Sequence, residues 1–254
     1  MYNSGIPKTD YSKIARHYDR FRMSDVDYWL SKIIEYGKIE QKCAVLDVGC
    51  GTGRFSISLF VAKNCLLYAL DLSIDMLKQA LAKDKSKRIL WIRGDGQRLP
   101  FRDSVFDCVY MTLVIHHIED KKLALQEIHR VLKKNGKCVI MTNSHARIKK
   151  HVLRYFPGVL AIDLKRFPTI PSLKRMMKMV DFKDVHYHIL RYDRGYISTK
   201  EYLKRVKNKY ISTLTLLSED SFQKGFKFFR DRVKRKYGNW IKQIDNFVFV
   251  VGQK

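Results

Sequence analysis

Between residues 43 and 143 short apolar runs alternate with amphipathic stretches, and this alternation leaves the chain few architectures. CAVLDV, CLLYALDL, ILWIRGD, FDCVYMTLVI and GKCVIMTN are separated by FSISLFVAK, DMLKQALAK and LALQEIHRVLKK, a repeated strand and helix pattern. The runs 43–48 and 105–111 are apolar almost throughout, as suits strands covered by helices on both faces of a parallel sheet. Five such strands emerge before residue 143. Ser73 or Asp75 is placed to start one helix and Asp120 another, with Asn135-Gly136 closing the second. The fold class is therefore α/β, a doubly wound, Rossmann-like, mostly parallel sheet.

Beyond residue 143 the pattern loosens. A loop or helix covers 145–168, and Pro171 opens the amphipathic PSLKRMMKMV, where a proline fits the first helical turn. VHYHIL (185–190) alternates like a strand, 198–237 reads as one or two basic helices, and NFVFVVG (246–252) reads as a last buried strand. The insertion between the two late strands is expected over one end of the core, near where open α/β sheets bind ligands.

The chain has 254 residues, with 50 Lys and Arg against 25 Asp and Glu, a formal charge of +25. With 46% hydrophobic residues it is long and apolar enough to bury a sizeable core and is not disordered. The charge is uneven: residues 1–143 carry +8 and residues 144–254 carry +17. That excess is either a solvated face or a surface for an anionic partner. No run approaches the ~18 apolar residues of a membrane span, and the first residues lack a signal-peptide stretch, so a soluble, cytoplasmic protein is expected. The five cysteines form an odd set without C-x-x-C, which predicts reduced thiols and no metal site.

The sharpest feature is VLDVGCGTG (45–53), an apolar strand running into glycines at alternate positions and then into a helix. Such a turn lets backbone approach a ligand, and the free N–H groups of the helix start attract an anionic group; simple strand-to-helix punctuation is the alternative. Eighteen residues after Gly53, Asp71 ends an apolar strand where a carboxylate can accept both hydroxyls of a ribose, or else cap the following helix. Gly94-Asp95-Gly96 follows a third strand and places Asp95 to accept from an adenine amino group, or in an exposed turn. Together they describe a pocket for adenosine. The glycines read G-C-G-T-G, not G-x-G-x-x-G, and there is no G-x-x-x-x-G-K-[ST], which disfavours pyrophosphate.

At this point the residues resemble the class I S-adenosylmethionine-dependent methyltransferases, in the branch of the ubiquinone and menaquinone C-methyltransferases (methyltransferase type 11). VLDVGCGTGRF (45–55), ALDLS (69–73), GDGQRLPFRDSVFDCVYMTLVIHHI (94–118) and EIHRVLKKNGKCVI (127–140) are similar to that family's signatures, in order and at its spacing. The resemblance implies a seven-stranded sheet with its last strand antiparallel, and S-adenosylmethionine as cofactor. It implies that Gly49, Cys50, Gly51 and Gly53 line the methionine part and that Asp47 orients its amino group. It further implies that Asp71 takes the ribose, Leu72 and Met76 border the adenine, Asp95 with the Gly96 amide reads its polar edge, and Met111 offers a backbone carbonyl. Residues 11–19 resemble the family's N-terminal cap, with Tyr11 and Tyr18 closing over the sulfonium or packing as ordinary helix residues. Lys134-Asn135-Gly136 and Asp181-Phe182 stand where the family often has Pro-Gly-Gly and Gly-Phe.

The expected organisation is one methyltransferase domain over 1–254. In it, 1–30 form the cap, 31–143 the cofactor core, 144–170 and 191–238 a lid over the acceptor, and 171–190 and 239–254 complete the sheet. Methyl transfer from a sulfonium is an in-line displacement, so alignment and exclusion of water dominate. His117, after the fourth strand, is the candidate general base, Tyr18 is the other candidate catalytic residue, and His116 packs. His186 and His188 lack further ligands at metal spacing. Aromatics among basic residues in the C-terminal half suit a small-molecule acceptor or an RNA surface. FQKGFKFFRDRVKRKYG carries apolar residues at 222, 226, 229 and 233, a stripe that favours packing within the protein and hence the small molecule. A non-catalytic adenosylmethionine-binding or partner-binding module and an NAD-dependent oxidoreductase are the readings from other classes.

Overall fold

The structure, a computed structural model, describes residues 9–11, 15, 19–20 and 25–254. The strands are β1 (Ala44–Val48), β2 (Leu66–Asp71), β3 (Leu90–Arg93), β4 (Phe106–Thr112), β5 (Leu132–Thr142), β6 (Lys183–Ser198) and β7 (Trp240–Gln253). The helices are α1 (Val26–Gly37), α2 (Arg54–Lys63), α3 (Ile74–Lys83), α4 (Lys121–Val131), α5 (His145–Lys150), α6 (Val159–Arg166), α7 (Ile170–Met179), α8 (Thr199–Lys207), α9 (Ser212–Thr215) and α10 (Glu219–Tyr237).

All seven strands form one sheet in the order β3-β2-β1-β4-β5-β7-β6. β1 to β5 run parallel and β7 runs antiparallel to β5, so the doubly wound sheet expected from the apolar runs is present. β1 lies between β2 and β4, which makes the β1/β4 boundary the place where strand order reverses and the following loops part. Every residue of β1 is buried, as a central strand with helices on both faces requires.

Contacts divide the chain into two compact units. The first takes described residues of Tyr11–Thr142, Thr169–His188 and Val248–Lys254. Its core joins Leu46 and Val48 of β1, Val109 and Met111 of β4, Ile140 of β5, Leu125 and Ile128 of α4, Leu173 and Met177 of α7, and Val248 and Val250 of β7. The second takes Asn143–Pro168 and Ile189–Phe247, with residues 9–10. It has its own core: Phe156 stacks on Phe222 at 5.6 Å between ring centres and meets Phe229 at 5.4 Å. Gly225 lies where a Cβ would stand 2.7 Å from the Phe156 ring, so this helix turn has room only for glycine. The stripe at 222, 226, 229 and 233 packs within the protein: Phe222, Phe229 and Val233 are buried and Phe226 packs partly against them.

Two boundaries differ from the sequence reading. Helix α4 was expected to run to Asn135-Gly136, but it ends at Val131. Leu132 enters the sheet opposite Phe106, and Lys133 reaches back to both Asp107 carboxylate oxygens at 2.9 Å, so the local gain from two further helical residues is outweighed. A register shift between Phe106 and Cys108 and a left-handed Asn135 (φ +66°) take up the extra residues. The late strands are also longer than 185–190 and 246–252, at 16 and 14 residues. Arg191, Asp193 and Arg194 hid the end of β6 from a reading based on apolar runs. Asp181 adopts φ +68° at the turn before β6, a backbone that favours glycine.

Helix starts follow their caps: the Ser73 hydroxyl accepts from the Met76 N–H, and the Asp120 carboxylate from the Leu123 N–H at 2.9 Å. Asp120→Ala is expected to cost about 1 kcal/mol, the usual worth of an N-cap. Urea denaturation should show a lower midpoint at an unchanged slope; an unmoved midpoint would show that the cap contributes nothing.

Candidate functional site

Three loops at the C-terminal ends of β1, β2 and β3 are bonded into one edge. The Gly49 and Cys50 N–H groups donate to the Leu70 carbonyl at 2.7 and 3.0 Å. The Gly51 N–H donates to Asp71 Oδ2 at 2.7 Å, and the Ser73 N–H to Asp71 Oδ1 at 2.8 Å. The Gly94 N–H donates to the Asp71 carbonyl at 3.0 Å. Both readings of Asp71 thus meet in one side chain: it braces the start of α3 and also holds the glycine turn. Each of its oxygens has one of these bonds, the Leu72 N–H adds a third, and the carboxylate's remaining lone-pair capacity is available to a ligand. Burial pushes the Asp71 carboxyl up, against three backbone donors that pull it down.

The glycine turn has the conformation that only glycine adopts easily, with Gly49, Gly51 and Gly53 at φ +76°, +56° and +75°. Their surroundings differ. A Cβ on Gly49 would strike Val114 at 2.5 Å and one on Gly53 would strike Trp91 at 2.4 Å, whereas one on Gly51 would meet nothing within 4 Å. Gly49 and Gly53 therefore serve close packing, and Gly51 faces open space. Cys50 is buried, and burial raises its thiol well above the ordinary range, so it stays protonated.

Asp47 is fully buried in β1, opposite Tyr110 of β4. Its Oδ2 accepts from the Ser56 hydroxyl at 2.6 Å and the Tyr110 hydroxyl at 2.9 Å. Its Oδ1 is buried and has no hydrogen-bond partner among the described residues. A buried carboxylate oxygen left without a donor is costly unless a ligand supplies one. Burial pushes the carboxyl up to about 7 despite the two hydroxyl donors.

Leu72 is 63% exposed just past Asp71, and Met76 is buried in the first turn of α3. Met111 is buried one residue beyond the last β1/β4 pair, Asp47 and Tyr110. Asp95 sits in a turn: its Oδ1 accepts from the Gln97 N–H at 2.9 Å, and both oxygens accept from the Gln97 amide. The Gln97 side-chain Oε1 in turn accepts from the Asp120 N–H at 2.7 Å, so this loop is tied to the start of α4. Gly96 lies against Val48, with 3.0 Å to a Cβ placed there.

The N-terminal segment meets both sides of the switch point. The Tyr11 hydroxyl lies 2.7 Å from His117 Nε2, with ring centres 5.4 Å apart. His117 closes the short 3-10 turn Ile115–His117 after β4, and His116 beside it is buried. Asp19, which ends the 11–19 motif, accepts from the Thr52 hydroxyl of the glycine turn at 2.6 Å and from the Lys83 ammonium. Sequence reading missed Asp19 and Thr52; the signal available was a carboxylate ending the motif and a hydroxyl amid the glycines. Tyr18 lies outside the described residues. His188 stacks on Tyr36 at 4.3 Å with His186 edge-on to it, and among the described residues no group of three His, Cys, Asp or Glu is placed to hold a metal.

An open glycine turn, a buried carboxylate oxygen short of a donor and a second carboxylate with lone pairs to spare fit a cationic amino acid joined to a ribose. Residues 46–140 match the family model of a methyltransferase domain. The demethylmenaquinone methyltransferase of Staphylococcus carnosus is 28% identical over 202 residues, covering 69% of this chain and 84% of that protein. A structure from an antibiotic biosynthesis pathway of Anabaena variabilis shares the fold with TM-score 0.72 at 22% identity, covering 91% of this chain and 98% of that one. Phosphoethanolamine N-methyltransferase 2 of Haemonchus contortus, solved with S-adenosyl-L-methionine, gives 0.64 at 18% identity, covering 96% and 57%. The matched core is similar to the class I S-adenosylmethionine-dependent methyltransferases. The relatives it is similar to include demethylmenaquinone methyltransferase, at 28% identity, and a ubiquinone/menaquinone biosynthesis C-methyltransferase of Legionella pneumophila, at 27% over 71% of this chain.

The Asp47 carboxyl has a measurable consequence for the protein without ligand. Because its folded-state value of about 7 exceeds the ordinary 3.8, the unfolded chain releases this proton first, and stability declines as pH rises from about 4 to about 7. Asp47→Asn should remove that decline. Urea midpoints of the two proteins should diverge across this range in the expected direction; parallel curves would contradict the buried-carboxyl assignment.

Proposed function

We propose that the enzyme moves the methyl group by in-line displacement to a small-molecule acceptor. Asp47, the 49–53 turn, Asp71 and the 94–96 loop would hold the cofactor, and His117 would act at the acceptor. The observation that carries the proposal is the pairing of the partnerless Asp47 Oδ1 with the open space at Gly51, on an edge that Asp71 ties together.

S-adenosylmethionine supplies, when bound, an electrophilic methyl on a sulfonium. Asp47 would give its free oxygen to the amino group, with Gly49, Cys50, Gly51 and Gly53 along the methionine part. Asp71 would accept from the ribose hydroxyls, Leu72 and Met76 would border the base, Asp95 and the Gly96 amide would read its polar edge, and Met111 would offer its carbonyl. Tyr11 would close over the methyl-bearing end, because its hydroxyl reaches the residue that follows β4. His117 would take a proton from the acceptor by way of the Tyr11 hydroxyl 2.7 Å from its Nε2, the hydroxyl giving its own proton to Nε2 as it receives the acceptor's.

Two observations favour a small molecule over RNA. The similar protein from S. carnosus is named for a quinone precursor. In addition, Phe156, Tyr202, Phe222 and Phe229 are buried in the second unit's own core, which removes them from base stacking. The domain assignment made from sequence joins this proposal, with 144–170 and 191–238 selecting the acceptor.

Cofactor binding should release a proton. Near pH 6 calorimetry of adenosylhomocysteine in buffers of different ionisation enthalpy should show proton release by the wild type and none by Asp47→Asn, since a cationic partner lowers a carboxyl that stands at about 7. Asp71→Ala should weaken adenosylhomocysteine roughly tenfold or more, the scale of charge-assisted hydrogen bonds. Unchanged affinity would remove the ribose assignment. Once an acceptor is found by following adenosylhomocysteine release across metabolite pools and total tRNA, His117→Ala should lower kcat about 10²-fold or more. A drop in cofactor affinity alone would make His117 a binding residue.

A further inference from the structure

Gln97, in the loop between β3 and β4, spends both ends of its side-chain amide on two partners. The loop itself is pinned on either side: the Gly94 N–H donates to the Asp71 carbonyl at 3.0 Å, and the Leu99 N–H to Glu127 of α4 at 2.8 Å. Between these points the Arg98 N–H donates to the Asp95 carbonyl at 2.9 Å, which closes a tight turn. Within that turn Gln97 Nε2 donates to Asp95 Oδ1 at 3.2 Å and to Oδ2 at 3.1 Å, and the Gln97 backbone N–H donates to Oδ1 at 2.9 Å. Gln97 Oε1 accepts from the N–H of Asp120, the cap of α4. The turn is half-buried, with Gly96 against Val48 at the end of β1.

This network fixes the amide one way round. A carboxylate only accepts and a backbone N–H only donates, so turning the Gln97 amide over would set oxygen against oxygen at Asp95 and N–H against N–H at Asp120. Nε2 stands almost equally far from both Asp95 oxygens, so it holds the carboxylate against rotation. A turn of this kind needs only the backbone bond to Oδ1; the side-chain grip is additional. The bonds are also unevenly shared. Oδ1 accepts twice and Oδ2 once, which leaves Oδ2 with the greater capacity for a further donor. An acceptor that cannot rotate selects its donor. Against a 6-amino purine a fixed carboxylate oxygen receives an N–H, whereas against a 6-oxo purine it meets another oxygen and the donor has moved to N1. A carboxylate free to swing would follow that donor, and the discrimination would fall.

We propose that Gln97 is a positioning residue for base selection: by gripping both oxygens of Asp95 it fixes the acceptor offered to a 6-amino group and sets a preference for adenosine over inosine in the nucleoside part of the ligand. The inference rests on the cofactor reading above, in which Asp95 and the Gly96 amide face the base, and extends it to a residue that acts through Asp95. The two ends of the Gln97 amide can be tested apart. Gln97→Glu keeps an oxygen for the Asp120 N–H and sets a carboxylate against Asp95, whereas Gln97→Ala removes both contacts.

Calorimetry on the full chain with two probes, S-adenosylhomocysteine and S-inosylhomocysteine, reads the preference as a ratio of affinities on one sample. The wild type should favour the adenosyl probe roughly tenfold or more, and Gln97→Ala and Gln97→Glu should each lower that ratio to about threefold or less. General damage to the loop, or a misfolded fraction, weakens both probes alike and leaves the ratio in place, which separates positioning from a structural role. Asp95→Asn, whose amide can donate to a 6-oxo group, should shift the ratio toward the inosyl probe. An unchanged ratio in either Gln97 variant, beside a shifted ratio in Asp95→Asn, overturns the role of Gln97 and leaves the cofactor reading standing. A wild type that binds adenosylhomocysteine no better than its inosyl analogue, or an unmoved ratio in Asp95→Asn, instead overturns the placement of the base on which the inference rests.

Discussion

The geometry of the cofactor edge depends on one carboxylate. Asp71 receives an N–H from the glycine turn after β1, receives another from the start of α3, and through its own carbonyl holds the loop after β3. Three loops that leave different strands are thereby fixed against one another at the end of a parallel sheet. The cost of burying a charged group is offset by these donors, because each is a backbone N–H that would otherwise lack an acceptor at a turn or helix start. A loop edge built this way needs little rearrangement to receive a ligand.

Asp47 works by the opposite logic. It lies deeper, opposite Tyr110 in the adjacent strand, with one oxygen satisfied by hydroxyls and the other with no donor in the described structure. Its raised titration is the measure of that deficit. A carboxyl that resists ionisation in this way would couple the affinity of a cationic ligand to pH. The N-terminal segment completes the enclosure, since Asp19 grips Thr52 on one side of the switch point and Tyr11 meets His117 on the other.

Much of this was legible in the sequence because it rests on local rules. The central strand announces itself by unbroken apolar residues, the glycine turn by spacing, and the capped helices by Ser73 and Asp120. What escaped depends on partners distant in the chain. Helix α4 stops early because Leu132 and Lys133 find Phe106 and Asp107, which no periodicity reveals. Asp95 reads as a ligand, yet its carboxylate is already engaged by Gln97, so the turn and any ligand must share it. Arg147 lies in HARIKK, where a basic helix suggests a solvated face; only the packing of α5 beside β7 buries it. The division into two units was also hidden, since the second core is assembled from Phe156, Tyr202, Phe229 and Ile241, far apart in sequence.

The ends of β1, β2 and β3 are proposed to form a single seat for the charged sulfur nucleoside. A crystal structure with adenosylhomocysteine tests it most directly. The expected complex has the amino group on Asp47 Oδ1, the chain of the ligand passing Gly51, and the ribose hydroxyls on Asp71. Density for the ligand elsewhere, or Asp47 still without a partner in the complex, would contradict it.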